Sequence, residues 1–112
     1  MLDDLIPVFK AFSHPLREKI LRVLLKNSSL SSFEIADRIG VAEPVTKYHL
    51  NVLIKAGLVN KRSELNNEDL KYIWRYSLDI DEAIRILEDI ISQISSLKDE
   101  VERVKTISAL NK

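Results

Sequence analysis

Residues 31–78 place two short helical segments, each closed by a glycine, ahead of a pair of strands. Those glycines, Gly40 and Gly57, are the only two in 112 residues. Ser31 and Glu34 have the spacing of a reciprocal helix cap. Phe33, Ile35, Ala36 and Ile39 supply the apolar positions of the first segment, and Gly40 suits the left-handed residue that ends a helix. After the tight turn Val41-Ala42-Glu43, Pro44 opens the second segment and Gly57 closes it. Residues 58–65 and 70–78 then read as strands around Asn66-Asn67-Glu68-Asp69. The second strand puts Leu70, Tyr72, Trp74, Tyr76 and Leu78 on one face and Lys71, Ile73, Arg75 and Ser77 on the other. Its aromatic face is expected to pack the hairpin against helices.

Helical patterns flank this unit. Leu2, Leu5, Ile6 and Phe9 recur at i, i+3, i+4, i+7, an amphipathic stripe that Ser13-His14-Pro15 interrupts. A second helix follows from Pro15 to about Lys26, with Leu16, Ile20, Val23 and Leu24 facing the core. From Asp79 to about Leu110 the steps alternate four and three through Ala83, Leu87, Ile90, Ile94, Leu97, Val101, Val104 and Ser108, as a coiled-coil seam requires. Ile80, Ile84, Ile86 and Ile91 widen its first half, so residues 80–91 are expected to pack on their own domain. Beyond Ser92 a helix rising about 1.5 Å per residue outruns so small a domain. The rest of the seam then needs another surface, most simply the same helix of a second chain.

Composition narrows the chemistry. With 46% hydrophobic and 30% charged residues the chain is an ordinary globular one. Neither a membrane span nor a secretory signal is evident, which sets the expectation of a cytoplasmic protein without membrane contact. There is no cysteine, and the only histidines are His14 and His49. Disulfides and thiolate metal sites are thereby excluded, no metal or other cofactor is expected, and no Gly-rich phosphate loop is possible. His49 falls on the core side of its helix and reads as a buried, hydrogen-bonded imidazole. His14 reads as a packing or capping residue. Nothing is placed to complete a catalytic triad, so no enzyme is expected. The net charge of zero hides a +3 front in residues 1–78 and a −3 tail, which favours an anionic partner for the front part.

In the Pro44 helix, Thr46, His49, Leu50 and Leu53 share one face. The opposite face presents Pro44, Tyr48, Asn51 and Lys55, flanked by Val45, Lys47 and Val52. An α-helix fits the major groove of DNA. Asn51 can pair bidentately with adenine, Tyr48 can reach a phosphate or base edge, Val45 can touch a thymine methyl, and Lys47 and Lys55 can neutralise phosphates. On the strand pair, Lys61, Arg62, Lys71 and Arg75 form a basic ribbon able to follow the backbone. Its tip, Glu68-Asp69, is acidic.

The motifs also resemble a known family. Phe12-Ser13-His14-Pro15-Leu16-Arg17 with Ile20-Leu21-Arg22-Val23-Leu24, then Phe33-Glu34-Ile35-Ala36 to Gly40-Val41, are similar to the ArsR-type winged helix-turn-helix regulators of archaea and bacteria. So are Pro44 to Leu53, Ala56-Gly57-Leu58-Val59 and Tyr76-Ser77-Leu78. The resemblance covers about residues 8–80. It implies a mainly α fold of order α-α-α-α-β-β-α with a small β-hairpin, and a homodimer that binds a palindromic operator, usually as a repressor. It also implies a dimer interface built from the first and last helices, here Leu2, Leu5, Ile6 and Phe9 with Leu87, Ile90, Ile94, Leu97, Val101 and Val104. The cysteines of the family's metal sensors are replaced by Ser31-Ser32-Phe33, and the last helix has no histidine. Glu43 and the longer, acidic wing loop are further departures.

The reading is therefore a dimeric regulator of double-stranded DNA, with residues 1–78 as the DNA-binding domain and 79–112 as the dimerisation helix. Its DNA contacts are Val45, Lys47, Tyr48, Asn51, Lys55, Lys61, Arg62 and Lys71. A protein-interaction module and a switch responding to an unknown small effector are the rival readings.

Overall fold

The computed structural model describes residues 6–111. Its elements run α1 (Ile6–Ala11), α2 (Pro15–Lys26), α3 (Ser32–Ile39), α4 (Glu43–Lys55), β1 (Val59–Asn66), β2 (Lys71–Leu78) and α5 (Ile80–Leu110). The order and types are those expected, with strand ends shifted by a residue. Leu2 and Leu5 lie outside the described residues.

Local chemistry sets each boundary. The His14 ring caps α2, its Nδ1 accepting the Leu16 N–H at 3.1 Å, and Pro15 occupies the first turn. The reciprocal cap of α3 forms in both directions. Ser31 Oγ accepts the Glu34 N–H at 3.1 Å, and Glu34 Oε1 accepts the Ser31 N–H at 3.0 Å. Gly40, at φ +75°, turns the chain out of α3 while donating to the Ala36 carbonyl at 2.9 Å. At the end of α4, Gly57 takes φ +85° and lets Leu58 N–H reach back to the Leu53 carbonyl at 3.1 Å.

The core joins α1 to α4. Ile20 and Leu24 of α2 meet Ile35 of α3 and Leu50 and Leu53 of α4, sealed by Val8, Ala11 and Leu58. Burying each of the larger side chains is worth roughly 1.5–3 kcal/mol. Phe33 is not among them: it points outward and is 68% exposed. Ile35 and Ala36 instead carry the buried face of α3.

The hairpin is antiparallel, from Val59 opposite Leu78 to Asn66 opposite Lys71. Its turn is held by short polar side chains. Asn66 Oδ1 accepts the Glu68 N–H at 3.0 Å and Asp69 Oδ1 accepts the Lys71 N–H at 3.1 Å. Leu70 completes the turn in the left-handed region at φ +58°. Only the base of the hairpin reaches the helices. There Leu30 and Tyr76 exchange backbone hydrogen bonds of 3.0 and 2.7 Å, and Tyr76 is buried. The expectation that the aromatic face packs on helices holds for Tyr76 alone. Tyr72 and Trp74 are 73% and 53% exposed, because the ribbon projects past the helical layer beneath it.

The long helix also departs from its expected packing. Ala83 and Ile86 are buried and Ile90 is half-buried, but Ile80, Ile84 and Ile91 face solvent. Two inward residues suffice to dock a helix that crosses the domain at a narrow contact. Beyond Gln93 every described residue is exposed. The molecule measures 74 × 25 × 23 Å, and α5, about 46 Å long at 1.5 Å per residue, contributes the larger part of the long axis.

Candidate nucleic-acid interface

Helix α4 is locked from beneath and open above. Thr46, His49, Leu50 and Leu53 are buried. The His49 ring accepts the Arg17 Nε–H at Nδ1, 3.1 Å away. It lies 4.4 Å from the His14 ring and meets Tyr48 edge-on at 5.2 Å. Burial, reinforced by the His14 and Arg17 charges, holds its pKa below the usual histidine range, so at neutral pH it is an uncharged acceptor. Both histidines thus take the structural places expected of them.

The upper face carries Val45 and Tyr48, 41% and 61% exposed, with Lys47, Asn51 and Lys55 beside them. These five expected contact residues are brought onto one solvent-facing surface. Lys47 also pairs with Glu43 at 3.1 Å, so the acid at the helix start is partly neutralised within its own turn.

The wing cations divide between two faces. Lys61 stands opposite Tyr76 on the aromatic face, with its Nζ 4.4 Å from the centre of the Trp74 ring. Arg62 and Lys71 lie on the other face, opposite Arg75 and Asn66. Arg75, grouped with them in the sequence, is occupied elsewhere. It pairs with Glu34 at 3.2 Å and Glu64 at 3.3 Å and donates to the Ser29 carbonyl at 3.0 Å, which ties the wing to α3. Ile6, Phe9, Leu87, Ile94, Leu97, Val101 and Val104 are all exposed apolar residues, at 40% or more.

Sequence reasoning missed Arg17, which is only 8% exposed. Its position three residues before Ile20 and seven before Leu24, on the core stripe of α2, was the available signal.

A helical core, a glycine-marked turn into an open helix and an appended two-stranded ribbon define a winged helix-turn-helix DNA-binding protein. The chain belongs to this class of transcriptional regulators: residues 14–60 match the family described as winged helix-turn-helix DNA-binding. An uncharacterized HTH-type transcriptional regulator of Methanocaldococcus jannaschii is 30% identical over 87 residues, 78% of this chain and 90% of that one. The transcriptional repressor SdpR of Bacillus subtilis is 40% identical over 53 residues, 47% of this chain and 58% of that one. Among solved structures, the homodimeric winged helix-turn-helix domain of a possible ArsR-family regulator from Mycobacterium bovis superposes with a TM-score of 0.63 at 23% identity. The alignment covers 88% of this chain and 85% of that domain. The ArsR-type fold expected from the motifs is therefore the fold observed, and the relatives are DNA-binding regulators rather than enzymes. No helix among the described residues is long and apolar enough to cross a membrane.

Proposed function

We propose that the chain acts as a homodimer that binds a palindromic DNA operator and represses transcription. Residues 1–78 form the reading domain and residues 79–112 the dimerisation helix. In each protomer α4 enters the major groove, where Asn51, Tyr48 and Val45 face base edges and Lys47 and Lys55 face phosphates. Lys61, Arg62 and Lys71 of the wing hold the flanking backbone.

The observation that carries this reading is the two-sidedness of α4: one face wholly buried, the other an exposed set of amide, phenol, methyl and ammonium groups. Dimerisation through α5, joined by Ile6 and Phe9 of α1, is supported by the bare apolar stripe from Ile94 to Val104 and by the homodimeric neighbour. Repression is supported by the similarity to SdpR.

Selection of bound sequences from a random duplex pool tests the reading. The expected product is an inverted repeat whose half-sites lie about one helical turn, or a multiple of it, apart. Failure of the protein to retain duplex DNA at any salt concentration would sink it.

A further inference from the structure

A cavity of about 530 Å³ lies between α1, the start of α2 and one edge of α4, and Lys10, Ser13, Arg17, Tyr48 and Lys55 line it. We propose that it seats a backbone phosphate of the bound duplex, with Arg17 as its principal ligand. The assignment rests on the DNA-binding reading above and adds a contact from outside the helix-turn-helix and the wing.

The buried guanidinium is the reason. Arg17 donates to His49 Nδ1 through Nε, and through Nη1 to the Lys10 carbonyl and to Ser13 Oγ. Every one of these acceptors is neutral. Among the described residues no carboxylate lies within ion-pair distance of Arg17, whereas Arg22 and Arg85 each have one and Arg75 has two. Arginine cannot shed its proton to relieve burial. A buried cation that meets only neutral acceptors among the described residues is costly, and an arriving anion lowers that cost. Nη2 has no protein acceptor among the described residues, which leaves a donor for an external oxygen. A phosphate oxygen is a charged acceptor that Nη2 can bond while Nε and Nη1 keep their protein partners.

The cavity also lies where a phosphate row must pass. A helix in the major groove has backbone on both sides. On α4, Lys47 shares a cleft with Trp74 and Tyr76 of the wing. Tyr48, Val52 and Lys55 border the cavity. The wing and the cavity therefore bracket the reading face from opposite edges, with Lys61 on one side and Lys10 and Arg17 on the other. The Tyr48 hydroxyl and the Lys55 ammonium complete a rim of donors, and among the described residues no carboxylate lines it.

The test uses the full chain and a random-sequence duplex, with binding followed by anisotropy across salt concentrations. Lys10→Ala and Arg17→Gln are each expected to weaken every sequence alike and to reduce the log–log salt slope by about 0.9. In parallel, the Arg17 Nε–H resonance is expected to shift on adding duplex DNA. Thermal melts establish that both variants are folded, and the exposed Lys10 keeps the test available if Arg17→Gln does not fold. Folded variants with the wild-type slope would overturn the proposal. A resonance that moves with inorganic phosphate but not with DNA would also overturn it, by assigning the seat to a free phosphorylated ligand. Absence of wild-type DNA binding is a separate outcome, which removes the operator reading and this assignment together.

Discussion

Arg17 of α2 donates to Nδ1 of His49, 3.1 Å away on the buried side of α4. The bond fixes the imidazole tautomer with its proton on Nε2 and joins the start of α2 to the reading helix across 32 residues of sequence. The burial of the same ring makes His49 a stability-linked titrating group.

Because burial first, then His14 and Arg17, depress the His49 pKa, the unfolded chain binds that proton more readily than the folded one. The stability His49 contributes is complete above the ordinary histidine pKa of about 6.5 and is lost as pH falls toward the folded-state value. Melting temperatures should decline as the solution is acidified through this window. His49→Gln, which keeps an acceptor for Arg17, should flatten that decline. An unchanged profile in the variant would assign the effect to another group.

The cap of α3 gives a second expectation. Ser31→Ala removes the acceptor for the Glu34 N–H and should cost about 1 kcal/mol in urea unfolding. Glu34 is itself held below the usual carboxylate range, chiefly by the Ser31 N–H. Its stabilisation is present above the ordinary value and disappears as pH falls through the depressed one. Glu34→Gln should therefore weaken the acid-side loss in the carboxylate range, below the His49 window.

Leu97, Val101 and Val104 are 52%, 60% and 67% exposed. Replacing Val101 and Val104 by glutamate should leave the reading domain folded and convert the protein to a 12.9 kDa species in sedimentation. The melting temperature of the wild type should rise with protein concentration, as for any dimer, and that of the variant should not. A wild type that sediments as a monomer would defeat the seam.

Two DNA variants separate reading from holding. Asn51→Ala should cost about 1–3 kcal/mol and relax a single operator position. Lys61→Ala should weaken all sequences equally and lower the salt slope by roughly 0.9. A uniform loss from Asn51→Ala would show that Asn51 is not a base reader.

Much of this architecture was legible because its signals are local. The Ser31–Glu34 cap, the two helix-ending glycines and the four-residue face of α4 all lie within a few residues of one another. The heptad spacing of α5 likewise stated its own length. What failed to show depends on how far one element reaches over another. Alternation put Tyr72, Trp74 and Tyr76 on one face, yet only the position of Leu30 and the helices decides that burial stops at Tyr76. Ile80, Ile84 and Ile91 are apolar residues whose covering surface depends on the angle at which α5 crosses the domain. The wing cations looked like one cluster in sequence, but register separates Lys61 from Arg62 and Lys71, and two glutamates claim Arg75. In the candidate site the exposed face of α4 was readable. The buried Arg17 was not, because its partner His49 is supplied from a different helix.

The joint between the wing and α5 sets how tolerant a paired reader can be. Asp79 N–H bonds the Leu58 carbonyl at 3.0 Å, and Asp79 Oδ1 caps the helix at Glu82 N–H, 3.1 Å away. A Cβ placed on Gly57 would touch Ile86 at 3.5 Å and Glu82 at 3.6 Å. The end of α4 and the first turn of α5 are thus joined by these contacts, with no loop between β2 and α5 longer than Asp79. In the proposed dimer the distance between the two α4 helices is then a property of rigid bodies, like the gap of a caliper. One base pair added between half-sites displaces them by about 3.4 Å and rotates them by about a tenth of a turn. A caliper cannot absorb both, so the proposed dimer is expected to discriminate operator spacing as well as operator sequence.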